Sequence, residues 1–363
     1  MITLRPGKYL TSVALISSLC IGVGFVASSQ ASAEHVQEPF SIALTGDMPY
    51  DDLGALQAPN VIADINAQKN IRFTLFDGDT MSGKGNKCTD EAYPVIKTNF
   101  FDQFKNQIFY SVGDNEWVDC DRAKKGGYDP AGRLAIVRST FFGTSGSYIS
   151  LGQRKLDTRV ERNADYPEMQ IFTYNKITVI IPHVPGSANN AAVATPTYKT
   201  YNDKSTDGDA VEYAARDAAN VAWINHGFDV AKQKKSLGVI VVVQANMDWE
   251  GYLRDLASPN NEYTAAYANV KQALLTNSLS FGKPVLLQNG DEHWYQVDMP
   301  MNETAGALVE KDKGSLVENF TRVQTFGSAF NHWVELTINP SDPNLWEFKV
   351  HIVKANVATH TAP

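Results

Sequence analysis

The sequence predicts an α/β protein, and three observations carry that reading. Short β-runs rich in Ile, Val, Leu and Phe alternate with longer helical stretches. Several of the β-runs stop abruptly at a Gly-Asp pair. The composition is that of a folded domain: 43% of 363 residues are apolar and 20% charged, which excludes a disordered tail, a collagen and a disulfide miniprotein. The net charge of -8 lacks the cationic surface that nonspecific nucleic-acid or polybasic membrane binding needs.

Residues 1–33 read as an export leader and not as part of the fold. Arg5 and Lys8 make a positive start, Val13 to Val26 an uncharged apolar stretch, and Ala31-Ser32-Ala33 a cleavage site. Leu19, before Cys20, is not the small residue that a lipoprotein signal requires. Residues 34–363 then form one exported domain, periplasmic or secreted. Its longest apolar run, Val239 to Val243, is too short to span a bilayer. Once Cys20 leaves with the leader, Cys88 and Cys120 remain, and an even pair in an oxidising compartment is a candidate disulfide. The alternative is two separate buried thiols.

Along the mature chain, Phe40 to Leu44 predicts a strand ending at Thr45-Gly46-Asp47, followed by a helix over 55–68. Ile71 to Phe76 predicts a strand ending at Asp77-Gly78-Asp79. A helix over 91–106 carries Phe100, Phe101 and Phe104 on one face, and Ile108 to Val112 leads to Gly113-Asp114. Glu168 to Tyr174 and Ile177 to Ile181 read as a hairpin across Asn175-Lys176. Asp209 to Lys235 is the longest helix, amphipathic through Val211, Ala215, Ala218, Ala222 and Phe228. Gly238 to Val243 is a buried strand entering Gln244. After a helix over 264–280, Pro284 to Gln288 ends at Asn289-Gly290-Asp291-Glu292-His293. Three β-runs close the chain, near Thr321 to Phe326, Trp333 to Ile338 and Trp346 to Val353, and 186–208 is the longest polar loop.

Ligand sites in α/β sheets lie beyond the carboxyl ends of the strands. Asp47, Asp79, Asp114 and Asp291 all stand there, each after a glycine. One Gly-Asp is an ordinary turn. Four at four strand ends bring together carboxylates that repel unless protons or cations intervene, so a divalent metal is expected.

These residues resemble the ordered motifs of the calcineurin-like metallophosphoesterases over about residues 43 to 295. The counterparts are Gly46-Asp47-Met48-Pro49, Gly78-Asp79-Thr80-Met81-Ser82, Gly113-Asp114-Asn115-Glu116, Gln244 after its strand, and Gly290-Asp291-Glu292-His293. The resemblance implies a four-layer α/β/β/α sandwich. It also implies an exported phosphoesterase that hydrolyses a small phosphorylated substrate through metal-activated hydroxide. Asp79 would bridge two metals, Asp47 and His293 would hold one, and Asp114, Asp291 and Gln244 the other. The chain departs from the family at Pro49, Ser82, Asp114, Asn115, Gln244 and Asp291, which stand where the family has His, Asp, Asn, His, His and His. Oxygen donors thereby replace nitrogen donors, which favours Mn, Mg or Ca over Zn. Tyr50 is a candidate replacement ligand. Asn115 occupies the position of the family's proton donor, and His183 in Pro182-His183-Val184 is a candidate substitute for it. The alternative function is a non-catalytic relative that binds metal, phosphate or a nucleotide. Asn189, Asn190, Arg122, Lys124 and Lys125 are further candidates for substrate contact. A bond between Cys88 and Cys120 is expected to brace the loops carrying Asp79 and Asp114.

Overall fold

The computed structural model describes residues 38–85, 87–192, 208–249, 265–302 and 315–360. The expected leader and its cleavage site, and most of the expected 186–208 loop, lie outside these residues.

Fourteen strands are described, in two large sheets and one small one. The first sheet holds β1 (Phe40–Thr45), β2 (Ile71–Phe76), β3 (Ile108–Tyr110), and the late strands Trp333–Ile338 and Trp346–His351. Between them in the chain come β4 (Gly143–Thr144) and β5 (Ser147–Tyr148), a two-stranded ribbon. The second sheet follows with β6 (Glu161–Arg162), β7 (Gln170–Tyr174), β8 (Ile177–Ile181), β9 (Gly238–Val242), β10 (Val285–Asn289), β11 (Gln296–Asp298) and β12 (Phe320–Gln324). The late strands of the first sheet are β13 and β14. Strand order is β14-β13-β1-β2-β3 in the first sheet and β11-β12-β10-β9-β8-β7-β6 in the second.

Both sheets are mixed. The strands β1, β2 and β3 run parallel, as do β8, β9, β10 and β12. Parallel strands covered on both faces read as unbroken apolar runs, which is why GVIVV and IALT stand out in the sequence. The β7–β8 hairpin turns on Asn175 and Lys176, both at positive φ, as a two-residue turn requires.

One apolar cluster joins the sheets. Ile42, Leu44, Phe73, Leu75 and Phe109 of the first meet Phe172, Val179, Ile181, Ile240, Val242 and Leu286 of the second. Phe109 stacks on Phe172 with ring centroids 4.0 Å apart. On its other side the first sheet packs against Asp52–Ala67 and Ala92–Asn99, through Val61, Ile62, Ile65, Tyr93 and Phe76. The second packs against Ala210–Gln233 and Ala268–Phe281, through Ile224, Phe228, Leu274, Val239 and Val241. Among the described residues no helix is long and apolar enough to cross a membrane.

Two helices differ from the sequence reading. The segment 91–106 is helical only over Ala92–Asn99, followed by a single 3-10 turn at Phe101–Gln103. Phe100, Phe101 and Phe104 leave the helical register: Phe100 and Phe101 pack on Phe76, Phe101 also on Tyr110, and Phe104 on Phe100. In Ala210–Gln233 most of the expected apolar face is turned outward: Val211, Ala215, Ala218 and Ala222 are exposed, while Phe228 is buried as expected. The buried face instead carries Arg216, Asp217, Asn220, Trp223, Ile224, Gly227, Phe228 and Ala231. Its polar members serve the chain after β8. Arg216 Nη1 and Asn220 Nδ2 both donate to the His183 carbonyl, at 3.0 and 2.6 Å.

Candidate metal centre

The parallel strands of both sheets deliver their carboxyl ends to one place. Asp47 follows β1, Asp79 follows β2, Asp114 follows β3, and Asp291 and His293 follow β10. Asp47, Asp79, Asp114, Asn115 and Gln244 are buried, and the His293 side chain is 28% exposed.

The glycines act here mainly by giving way. A Cβ on Gly113 would collide with the Asp79 carboxylate, and one on Gly290 with that of Asp47. A Cβ on Gly186 would lie 2.9 Å from both Asp114 Oδ2 and Asp291 Oδ1, so these two carboxylates flank that residue. The sharp turn itself falls on the acids. Asp47, Asp79, Asp291 and His293 have φ of 49°, 56°, 79° and 70°. Left-handed backbone costs a non-glycine residue about 1–2 kcal/mol and concentrates where function fixes geometry.

Tyr50 is the hub of the cluster. Its hydroxyl lies 3.0 Å from Asp47 Oδ1 and 2.8 Å from Asp79 Oδ2, 3.2 Å from His293 Nε2 and 3.3 Å from Asn115 Nδ2. Asn115 Nδ2 also donates to Asp79 Oδ2 at 2.7 Å, and the Asn115 backbone N–H donates to Asp79 Oδ1 at 3.1 Å. Asn115 therefore holds the Asp79 carboxylate and is no free acid. Gln244 behaves similarly. Its oxygen accepts from the Gly186 N–H, and its Nε2 faces Asp79 Oδ2 at 3.2 Å and Asp291 Oδ1 at 3.3 Å. In this structure Gln244 meets the carboxylates as a donor, whereas the sequence reading has it as an oxygen ligand.

Electrostatics follow from burial and crowding. Burial raises the Asp47 carboxyl well above its ordinary range, and the charges of Asp77 and Asp291 raise it further. Asp79 is raised by burial and then by Asp114, Glu116, Asp47 and Asp291. Asp291 is raised by burial, Asp114 and Glu292. Burial also raises the Tyr50 hydroxyl, and burial lowers His293. Two buried ionisable groups have roles that the sequence reading did not assign. Asp77, beneath Asp47, is pushed by burial to about 8 although Gln288 and Thr325 both donate to it at 2.9 Å. Lys125, a candidate for substrate contact, is instead buried and donates to the Ser82 and Asn115 carbonyls, both at 2.8 Å. The signal for Asp77 was present, since Asp77-Gly78-Asp79 places two acids at one strand end. Lys125 had none.

Among the described residues no three His, Cys, Asp or Glu side chains are set to hold a metal ion as they stand. Donor hydrogens of Tyr50, Asn115 and Gln244 lie between the carboxylates and supply the positive character that a cation would. The donor chemistry still fits a hard divalent ion: clustered carboxylates, a phenol oxygen and one imidazole, buried and mutually repelling.

Of the remaining candidates Lys124 is exposed, and the others take scaffold positions. The His183 Nδ1 meets Glu168 Oε1 at 2.8 Å, inside the core. Burial alone would raise Glu168, but His183 and the paired Arg138 bring it down to about 2. Asn189 Oδ1 accepts from Arg216 and Asn190 Nδ2 donates to Glu212. Arg122 pairs with Asp119 at 2.7 Å. Ser187, Ala188, Asn189 and Asn190 form a buried left-handed turn directly after Gly186. Cys88 and Cys120 are disulfide-bonded, with Cα atoms 5.8 Å apart, and join the loops beyond Asp79 and Asp114.

No protein-family signature matches the chain, and no curated protein does. Among solved structures it is similar to GAP50, the anchor in the inner membrane complex of Plasmodium. That likeness has a TM-score of 0.42 and 12% identity, over 88% of this chain and 90% of the other.

Proposed function

We propose that the chain is an exported, metal-dependent phosphoesterase acting on a small phosphorylated substrate. The observation that carries this reading is the meeting of four carboxylates, Asp47, Asp79, Asp114 and Asp291, from the strand ends of both sheets, where burial and neighbouring charge raise Asp47, Asp79 and Asp291 above the ordinary carboxyl range. Asp47, Asp79, Tyr50 and His293 would hold one ion; Asp79, Asp114 and Asp291 a second. When bound, such ions supply charge neutralisation and Lewis-acid activation of water and phosphoryl oxygen. The chain's own part is to fix the carboxylates: Tyr50, Asn115 and Gln244 set the orientation of Asp79, and Asn246 N–H holds Asp291 at 3.1 Å. The two facing sheets with helices on their outer sides support the four-layer α/β/β/α arrangement as part of the same reading. The leader over residues 1–33 supports export.

Elemental analysis of the purified mature protein, then turnover of an aryl phosphate with Mn²⁺, Mg²⁺, Ca²⁺ or Zn²⁺, tests it. The expected result is up to two ions per chain and a response to the harder ions. Tight stoichiometric Zn²⁺ without that response would sink the metal preference. A second reading, a binder of metal or phosphate without turnover, is favoured by one observation. Asn115 is an amide tied to Asp79, and His183 is buried in the core against Glu168 and Trp117, so neither is open to a leaving group. Bound metal without turnover would select it.

A further inference from the structure

The solvent side of the metal centre is marked by His293, and exposed aromatic rings accompany it. Among the described residues the exposed large aromatic side chains are Tyr148, Trp294 and Phe330, at 39%, 44% and 57%. Two of the three belong to the chain around His293. Trp294 follows it directly. Phe330 lies on the loop whose Gly327 N–H donates to the His293 carbonyl at 3.1 Å and whose Ser328 carbonyl meets His293 Nδ1. Gly327 also abuts Asp47, and the Phe330 N–H closes the loop on the Gly327 carbonyl at 2.7 Å.

The indole is held, although it is exposed. Trp294 Nε1 donates to Gln296 Oε1 at 3.3 Å, Gln296 Nε2 to Asp298 Oδ2 at 2.9 Å, and Asp298 is gripped by the buried Arg322 at 2.6 and 2.8 Å. The Trp294 carbonyl accepts from Gln324 Nε2 at 2.9 Å, and Gln324 is in turn bonded to Asn246 and Asn289 at the ends of β9 and β10. An exposed aromatic ring whose edge is held, one residue along the chain from His293, can orient a ligand ring by its face.

We propose that Trp294, assisted by Phe330, is a platform for a planar aromatic group on the alcohol side of the substrate. The preferred ester is then an aryl or nucleobase-bearing phosphate and not an alkyl or polyol phosphate. This rests on the phosphoesterase reading. The test titrates phenylphosphonate and methylphosphonate calorimetrically into the full mature protein with Mn²⁺ present, for wild type, Trp294→Ala and Trp294→Phe. Wild type is expected to bind phenylphosphonate about tenfold more tightly than methylphosphonate. Trp294→Ala should erase that ratio and Trp294→Phe should keep most of it. Repeating the titration with a nucleoside phosphonate separates a nucleobase from a simple aryl ring. Equal binding of the two phosphonates by wild type overturns the platform and leaves the phosphoesterase reading standing. Binding of neither overturns both. A smaller oligomer on Trp294→Ala with an unchanged ratio would assign the ring to contact with a second copy, and also overturns the platform.

Discussion

At the scale of the residue, the centre is a set of carboxylates kept together by hydrogen-bond donors. Tyr50 contributes most visibly, because one hydroxyl serves both Asp47 and Asp79. Tyr50→Phe removes the one hydrogen that lies between the buried Asp47 and Asp79 carboxylates, at a cost of about 1–3 kcal/mol. Urea unfolding in EDTA should show that loss, and added Mn²⁺ should shrink it; a change below about 0.5 kcal/mol in EDTA would contradict the hub role. Asp79→Asn removes the acid shared by both proposed ion sites, so metal content should fall for the two ions together. Asp114→Asn removes one charge from one site and should keep metal. Equal retention by both variants would defeat the two-ion reading. The positions of Asp47, Asp79, Asp114, Asp291 and His293 were legible because Gly-Asp at a strand end is a local signal. The tying of Asn115 and Gln244 as donors was not, because the direction of an amide depends on neighbours remote in sequence.

At the scale of the element, the strands were the readable part. Burial on both faces writes itself as a run of Val, Ile and Leu that needs no partner to recognise. The helix Ala210–Gln233 shows where this stops. Its inward face carries Arg216 and Asn220 because the turn after β8 needs donors, so hydrophobic periodicity placed Phe228 correctly but Val211, Ala215, Ala218 and Ala222 on the wrong side. The disulfide was readable from the even pair of cysteines that follows the expected leader, and it closes a separation of 32 residues. In the chain-entropy account such a loop stabilises the fold by about 3–4 kcal/mol. Cys88→Ala with Cys120→Ala should lower unfolding free energy by roughly that amount in chemical denaturation. No change in the midpoint would mean that the loops are held by their other contacts alone, among them Lys125.

At the scale of the whole molecule, the buried acids set how stability depends on pH. Asp77 has its folded pKa raised from the ordinary range to about 8. Its contribution is therefore complete below pH ~4 and lost as pH rises towards 8, because the folded state holds the proton that the unfolded state releases. Asp47, Asp79 and Asp291 shift in the same direction. Glu168 works the other way. Its folded pKa is about 2, so its contribution is present above pH ~4.5 and lost as pH falls towards 2. In EDTA the melting temperature should therefore peak in mildly acidic solution and decline towards pH 8. Divalent cation should flatten that alkaline decline, since it replaces the missing protons. Melting curves from pH 3 to 9 with and without Mn²⁺ check this, and a metal-free Tm that rises from pH 5 to 8 would refute the electrostatic account.

The carboxylates hang from two different sheets: three follow β1, β2 and β3, and Asp291 follows β10. Amide exchange gives this a separate meaning. Two sheets joined mainly by side-chain packing can open as distinct sub-global units, each with its own protection. An ion gripped from both sides is lost when either sheet opens, so it adds the same increment, RT ln(1 + [L]/Kd), to both openings. The slowest amides of β1 and β2 and those of β9 and β10 should then gain protection in parallel as Mn²⁺ is raised.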